Sequence, residues 1–152
     1  MPNWMTFERL GDNNADGSIP GELRVRGTAF PTIERGGFTT VRRGVYTVEM
    51  SWKQHGRHIR CLRFVERGIR ALLIHAVLND DPLNLKGCIG PGMIPSQSGG
   101  IIDSDRAMEE IFALLGGFDE GNQFIIWVRN NAPGVPGEKR GWIMSRIKDG
   151  KW

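Results

Sequence analysis

Short segments in which apolar and polar residues alternate recur along this chain, separated by loops rich in glycine. The clearest spans residues 44–52, where β-branched and aromatic residues alternate with polar ones. Such a pattern is typical of a β-strand with one buried face. Residues 23–26 and 124–128 also have strand character, and residues 28–34 indicate an edge strand because Pro31 has no N–H to donate. The chain is therefore predicted to be mainly β.

A helical pattern is convincing in one segment. Apolar residues recur at helical spacing over residues 104–115, after Asp103 or Ser104, either of which is a suitable N-cap. Gly116 and Gly117 then predict the end of the helix. With further strands near residues 59–65 and 71–74, the sequence predicts a single β-rich α+β domain. It has six or seven strands, largely antiparallel or mixed, and one main helix near residues 104–115.

A histidine and a cysteine stand on either side of a turn-rich loop. The apolar run of residues 69–74 leads to His75, and the chain returns through Gly87 and Cys88, 88 − 75 = 13 residues later. A thiol beside an imidazole can act as a nucleophile near neutral pH. Cys88 and His75 are therefore the candidate catalytic pair. The alternative is that both side chains only pack, as free cysteines often do.

Glycines around Cys88 allow the backbone to approach a ligand closely. Gly87, Ile89 and Gly90 are the candidates for backbone support of an oxyanion, since N–H groups next to a nucleophile can stabilise developing charge. The Gly87-x-x-Gly90 spacing matches no nucleotide-binding pattern, and no cofactor is expected.

The remaining candidate ligands have simpler interpretations. Cys61 and Cys88 are expected to be reduced, although a disulfide between them stays open. His55 and His58 lie three residues apart with no third ligand at a recognisable spacing, so no metal site is expected. Asp80, Asp81, Asp103 and Asp105 could orient His75, but turn formation and helix capping account for them better.

The charge is mildly basic, with 20 Lys and Arg against 17 Asp and Glu, a net charge of +3. Basic residues cluster at Arg42 and Arg43 and over residues 53–70. Nucleic acid or an anionic wall polymer could use such a patch. No nucleic-acid-binding motif accompanies it, so nucleic acid is an unlikely partner and a solvated strand face is favoured. No signal peptide is expected, and no apolar run approaches the roughly 18 residues of a membrane helix.

The order of several short motifs resembles an uncharacterised domain family of phages, prophages and some bacteria. The resemblance covers roughly residues 18–130 and implies a family-like core there, with an N-terminal arm at residues 1–14 and a C-terminal arm at residues 131–152. The matching motifs are Thr32-Ile33-Glu34, Gly44-Val45-Tyr46, Ile74-His75, Asn79-Asp80-Asp81, Gly87-Cys88-Ile89 and, inexactly, Ser104-Asp105-Arg106-Ala107.

The chain more distantly resembles the L,D-transpeptidases of the YkuD type, which act on stem peptides of peptidoglycan. In that group a histidine is the general base, and the cysteine of a Ser-His-Gly-Cys-Ile-Arg motif is the nucleophile. The resemblance implies those roles for His75 and Cys88. The departures are Ala76 after the first histidine, Leu85 and Lys86 in place of Ser-His, and Gly90 in place of the arginine. They put substrate carboxylate binding and oxyanion support in doubt.

Two functions follow as expectations. The first is a phage-encoded, peptidoglycan-directed cysteine enzyme that forms or cleaves stem-peptide bonds. The second is a non-catalytic virion or tail component that uses the same domain to bind other phage structural proteins. The expected location is the phage particle, or the bacterial cytoplasm before lysis. Aromatic residues near both ends, Trp4, Phe7, Trp142 and Trp152, predict contacts with another subunit, and hence an oligomer or an assembly.

Overall fold

The computed structural model describes residues 4–11, 13–38, 40–53, 59–81, 84–96 and 100–133. The long strands of this part are β1 (Trp4–Arg9), β2 (Ile19–Val25), β3 (Thr28–Glu34), β4 (Gly44–Lys53), β5 (Ile59–Phe64) and β10 (Gln123–Val128). Two-residue strands are β6 (Leu73–Ile74), β7 (Gly90–Pro91), β8 (Ile94–Pro95) and β9 (Ile101–Ile102). The helix α1 spans Ser104–Leu114, and a 3-10 turn spans Leu78–Asp80. The α+β prediction is confirmed. The described residues form ten strands rather than the six or seven predicted, because a strand of two residues is too short to show an alternation of apolar and polar residues.

Eight strands form one sheet in the order β6-β5-β4-β10-β1-β2-β3-β7. Only β1 and β10 pair in parallel within this sheet; the other neighbours are antiparallel. The two ends of the sheet meet, because Ile89, directly before β7, forms a parallel bridge with Ile74 of β6. Ile89 N–H donates to Leu73 O at 2.9 Å, and His75 N–H donates to Ile89 O at 3.1 Å. The sheet is therefore closed into a barrel.

The main core lies on the inner face of this barrel and includes α1. Inward residues of the long strands, such as Phe7, Leu23 and Phe64, share one cluster with the helix. The predicted helical stripe is confirmed, with these residues buried: Met108, Ile111, Phe112 and Leu115. The predicted end is also confirmed, since Gly116 and Gly117 take left-handed φ values of 97° and 98°. Gly117 N–H donates to Phe112 O at 2.8 Å.

The start of α1 is capped from a distant part of the chain. The N-cap residue Asp103 is left-handed and makes no side-chain cap, so the prediction of Asp103 or Ser104 as capping side chain is wrong. Instead, the carboxylate of Asp80 accepts the N–H groups of Asp103 and Ser104 at 3.0 and 2.9 Å. Ser104 Oγ accepts the N–H of Val77 and donates to Pro91 O. A negative charge at a helix N-terminus is favourable, and here it joins the loop after His75 to the helix.

The N-terminal segment is a central strand, which corrects the expected arm at residues 1–14. β1 lies between β10 and β2, and its residues Met5 and Phe7 are fully buried in the chain's own core. Parallel pairing with β10 and antiparallel pairing with β2 make this segment a strand. Phe7 is therefore not a contact for another subunit. Trp142 and Trp152, and most of the expected C-terminal arm at residues 131–152, lie outside the described residues.

Candidate functional site

His75 and Cys88 lie on the same outer face of the barrel. Their neighbours Ile74 and Ile89 are paired across the closing bridge, and both face the inner core. Successive side chains of an extended strand point to opposite faces. His75, one position after Ile74, and Cys88, one position before Ile89, therefore both point outward and are diagonal neighbours. Cys88 packs in a second cluster on this outer side with Leu73, which lies directly across from it.

Each side chain has its own hydrogen-bond partner in the described part of the chain. The Nδ1 atom of His75 lies 2.7 Å from the carbonyl oxygen of Ala76, and the Sγ atom of Cys88 lies 3.9 Å from that of Ala71. No hydrogen bond joins His75 to Cys88 among these residues. The catalytic roles of the pair stay predictions, and their common face meets the first geometric requirement for them.

The contact with Ala76 sets the tautomer of His75. A carbonyl oxygen only accepts hydrogen bonds, so Nδ1 carries the proton and Nε2 carries the lone pair. The pKa of His75 is lowered to about 4, chiefly by burial; the hydrogen bond with Ala76 opposes this shift, and the charge of Lys53 contributes to it. At neutral pH the ring is therefore an uncharged acceptor. Among the described residues, no carboxylate forms a hydrogen bond with this ring, and Asp80, one of the candidates to orient it, caps α1 instead.

Both thiols are protonated at neutral pH. Burial raises the pKa of Cys88, while hydrogen bonding to the backbone of Leu73 and Lys86 and the charges of Lys53 and Arg63 work against that rise. Burial raises the pKa of Cys61 to about 11. The unliganded site therefore holds a neutral thiol and a neutral imidazole, and a proton would have to leave Cys88 as its sulfur attacks.

Cys61 lies on the other side of β6 from Cys88. The pairing of Leu62 with Ile74 places Cys61 across from His75, whereas Cys88 lies across from Leu73. The two cysteines are thus two strand spacings apart, roughly 10 Å, beyond the roughly 7 Å between Cα atoms that a disulfide spans. Both thiols are free, as the sequence indicated.

The three residues predicted to support an oxyanion have different surroundings. The N–H of Ile89 already donates to Leu73 O, so it is engaged in this structure. Gly87 has a left-handed φ of 88°, and the N–H groups of Gly87 and Cys88 make no backbone hydrogen bond to another described residue. A Cβ on Gly90 would lie 2.1 Å from Val77 Cγ2, so the absence of a side chain at Gly90 lets Val77 pack against β7.

His55 and His58 lie outside the described residues. Within the described ranges, no group of three or more metal-ligating side chains occurs. In the same ranges, no helix has the length and apolar character needed to cross a membrane.

The structure adds three groups that sequence reasoning did not assign to the site. They are the Ala76 carbonyl, Lys53 and Arg63. The sequence signal for the two cations was the basic cluster of residues 53–70, but only strand register shows which of its members approach the thiols.

Comparisons of the chain with family models, with curated proteins and with solved structures found no match. We therefore infer the function of this site from the chemistry of its own residues.

Proposed function

We propose that the chain is a phage-encoded cysteine enzyme directed at peptidoglycan, which transfers or cleaves an acyl bond of the stem peptide. The observation that carries the proposal is the parallel bridge between Ile74 and Ile89, which turns His75 and Cys88 to one face. The hydrogen bond from Nδ1 to the Ala76 carbonyl supports it, because it leaves Nε2 of His75 as a proton acceptor.

In the proposed reaction, Sγ of Cys88 attacks the carbonyl carbon of a peptide bond while Nε2 of His75 takes the thiol proton. The tetrahedral intermediate collapses with cleavage of the C–N bond, and the leaving amine takes the proton from Nε2. The product is a thioester on Cys88. An acceptor amine then completes transpeptidation, or water completes hydrolysis, and Cys88 regains a proton from the incoming nucleophile through His75.

The carbonyl oxygen becomes negative in this intermediate and requires donors. Next to Sγ, the N–H groups of Gly87 and Cys88 have no backbone acceptor among the described residues. Removal of one such donor typically costs 10²–10³ in rate in acyl-transfer enzymes. The Gly87 conformation is therefore part of the proposed site.

A non-catalytic virion component is the second candidate, and burial favours it. His75 is 2% exposed and Cys88 is 7% exposed, and burial disfavours the charged form of each. Lys86 and Gly90 also stand where the transpeptidase motif has histidine and arginine. In this function the same domain is an interaction module for other phage structural proteins, within an oligomer or assembly.

The rate at which Cys88 is alkylated tests whether His75 acts as its base. At pH 7, iodoacetamide should label Cys88 faster than Cys61, read by mass spectrometry of each cysteine peptide, because Cys61 has no exposed surface. His75→Ala should slow labelling of Cys88 and leave Cys61 unchanged. Leu78→Ala, at an exposed side chain three residues further on, is the matched control and should change neither rate. An unchanged Cys88 rate in His75→Ala would remove His75 as base.

Activity on the polymer tests the reaction. Purified peptidoglycan incubated with the protein should give either new cross-links or cleaved stem peptides, both visible by mass spectrometry of the muropeptides. Cys88→Ala should abolish the change, and Cys61→Ala should keep it. Identical muropeptides from the wild type and Cys88→Ala would favour the virion component.

A further inference from the structure

Strand register brings two cations to the outer face that carries Cys88. Arg63 of β5 lies across from Leu73 of β6, and Leu73 lies across from Cys88, which directly precedes the bridge residue Ile89. The three residues therefore form one row across the barrel wall. In the neighbouring row, Ser51 of β4 lies across from Cys61, which lies across from His75. Lys53, two positions after Ser51, points to the same face.

Hydrogen bonds hold the guanidinium of Arg63 near the thiol. Its Nη1 donates to Arg70 O at 3.0 Å, while the Sγ of Cys88 donates to the next carbonyl along the chain, Ala71 O, at 3.9 Å. The guanidinium and the thiol therefore contact adjacent peptide groups. The carbonyl acceptors are uncharged, so they fix the position of the guanidinium without neutralising its positive charge.

The same guanidinium reaches the strand that carries the second cation. Nη2 of Arg63 donates to Trp52 O at 3.1 Å, and this carbonyl belongs to the peptide bond that leads to Lys53. Both Lys53 and Arg63 act electrostatically on Cys88 and on Cys61, and Lys53 also acts on His75. Two positive charges thus lie close enough to the Cys88 thiol to act on it.

Within the described ranges, no carboxylate forms an ion pair with Arg63 or Lys53. Glu49 lies across from Arg63, yet the ion pairs of this part of the chain include neither Arg63 nor Lys53. The Glu49 carboxylate lies 3.4 Å from the side-chain nitrogen of Gln123 instead. Two cations that lie on one face without an ion-pair partner attract an anion.

We infer that Lys53 and Arg63 form an anion subsite for a substrate carboxylate next to Cys88. This inference rests on the proposed function and specifies its substrate as a peptide with a free carboxylate close to the carbonyl that is attacked. Lys53 and Arg63 would bind the substrate carboxylate, and neither would take part in proton transfer.

A pair of nearly isosteric alkylating reagents tests the subsite without requiring turnover. Iodoacetate carries a carboxylate and iodoacetamide does not. The rate of alkylation of Cys88 by iodoacetate divided by the rate with iodoacetamide therefore reports the positive charge near the thiol. The acidity and the accessibility of the thiol affect both rates alike and do not change this ratio. The reference is the same ratio for Cys88 in the urea-unfolded chain. The native ratio should exceed the reference, and Lys53→Met and Arg63→Met should each lower it about threefold. Added salt should lower it as well.

Arg24→Met is the matched control, because Arg24 is an exposed cation on β2, and it should leave the ratio unchanged. A native ratio equal to the reference, unaffected by either substitution, would overturn the inference. If His75→Ala still slowed labelling in that case, the proposed function would stand without this subsite. Absence of native labelling by both reagents, with labelling in urea, would overturn the inference and the enzyme proposal together.

Discussion

Arg9 and Glu34 form a two-point ion pair inside the barrel. Nε and Nη2 of Arg9 lie 2.9 and 2.8 Å from the two carboxylate oxygens of Glu34, and both side chains are almost completely buried. Arg9 also donates to the carbonyl oxygens of Val41 and Asn130. The pair thus ties β1 to β3 and to the segments before β4 and after β10. The glutamate of the Thr-Ile-Glu motif therefore has a structural role.

Breaking this pair from one side should be costly. Arg9→Met leaves the Glu34 carboxylate buried without its cation, and we expect a loss of about 3–5 kcal/mol in the free energy of unfolding, measured with urea. The matched control is Arg24→Met, which removes an exposed pair with Glu22 and should cost less than about 1 kcal/mol. Equal losses in the two variants would show that the buried pair contributes no more than a surface contact.

The cap of α1 by Asp80 is testable by two substitutions. Asp80→Ala removes both acceptors at the helix start and should lower stability by about 1–2 kcal/mol. Asp80→Asn keeps one acceptor and should cost less. Glu109→Gln, at an exposed position of the same helix, should stay within about 0.5 kcal/mol of the wild type. A loss in Asp80→Ala no larger than in Glu109→Gln would contradict the long-range cap.

Burial of neutral His75 should make stability depend on pH. The pKa of the folded state, about 4, lies below the ordinary value of 6.5, so the unfolded chain takes up this proton first as the pH falls. The contribution is present above pH 6.5 and is lost as the pH falls toward 4. Between pH 7 and pH 5 the loss should be about 2 kcal/mol. Urea unfolding of the wild type and His75→Gln at both pH values should show this difference, and the same pH dependence in both proteins would contradict it.

Gly90 and Val77 should behave as a coupled pair. Gly90→Ala places a methyl group where Val77 Cγ2 lies, and we expect a loss of about 1–3 kcal/mol from overpacking. Adding Val77→Ala should make room and recover part of this loss, although Val77→Ala alone is itself destabilising. A thermodynamic cycle over the four proteins measures the coupling. Strict additivity would show that Gly90 is not required for this packing.

The strands and the helix with strong local patterns were predictable from the sequence. Residues 28–34 were predicted with the bounds that β3 has, and the β4 and α1 predictions differ from the structure by one residue at one end. Alternation, helical spacing and paired glycines act within a few residues, so they can be recognised without the rest of the fold. The presence of His75 and Cys88 on opposite sides of a turn-rich loop was equally visible.

The partners of those elements were decided by the tertiary structure. β1 is a strand because it pairs with β10, more than a hundred residues later, and α1 is capped by Asp80, which precedes it by more than twenty residues. Likewise, the outward direction of His75 and Cys88 depends on the single register of the Ile74–Ile89 bridge, since a shift by one residue turns a side chain to the other face. A local pattern indicates which residues of one strand share a face, but it does not show which residue of a distant strand each of them pairs with. That pairing is set when the strands close the barrel around a shared core.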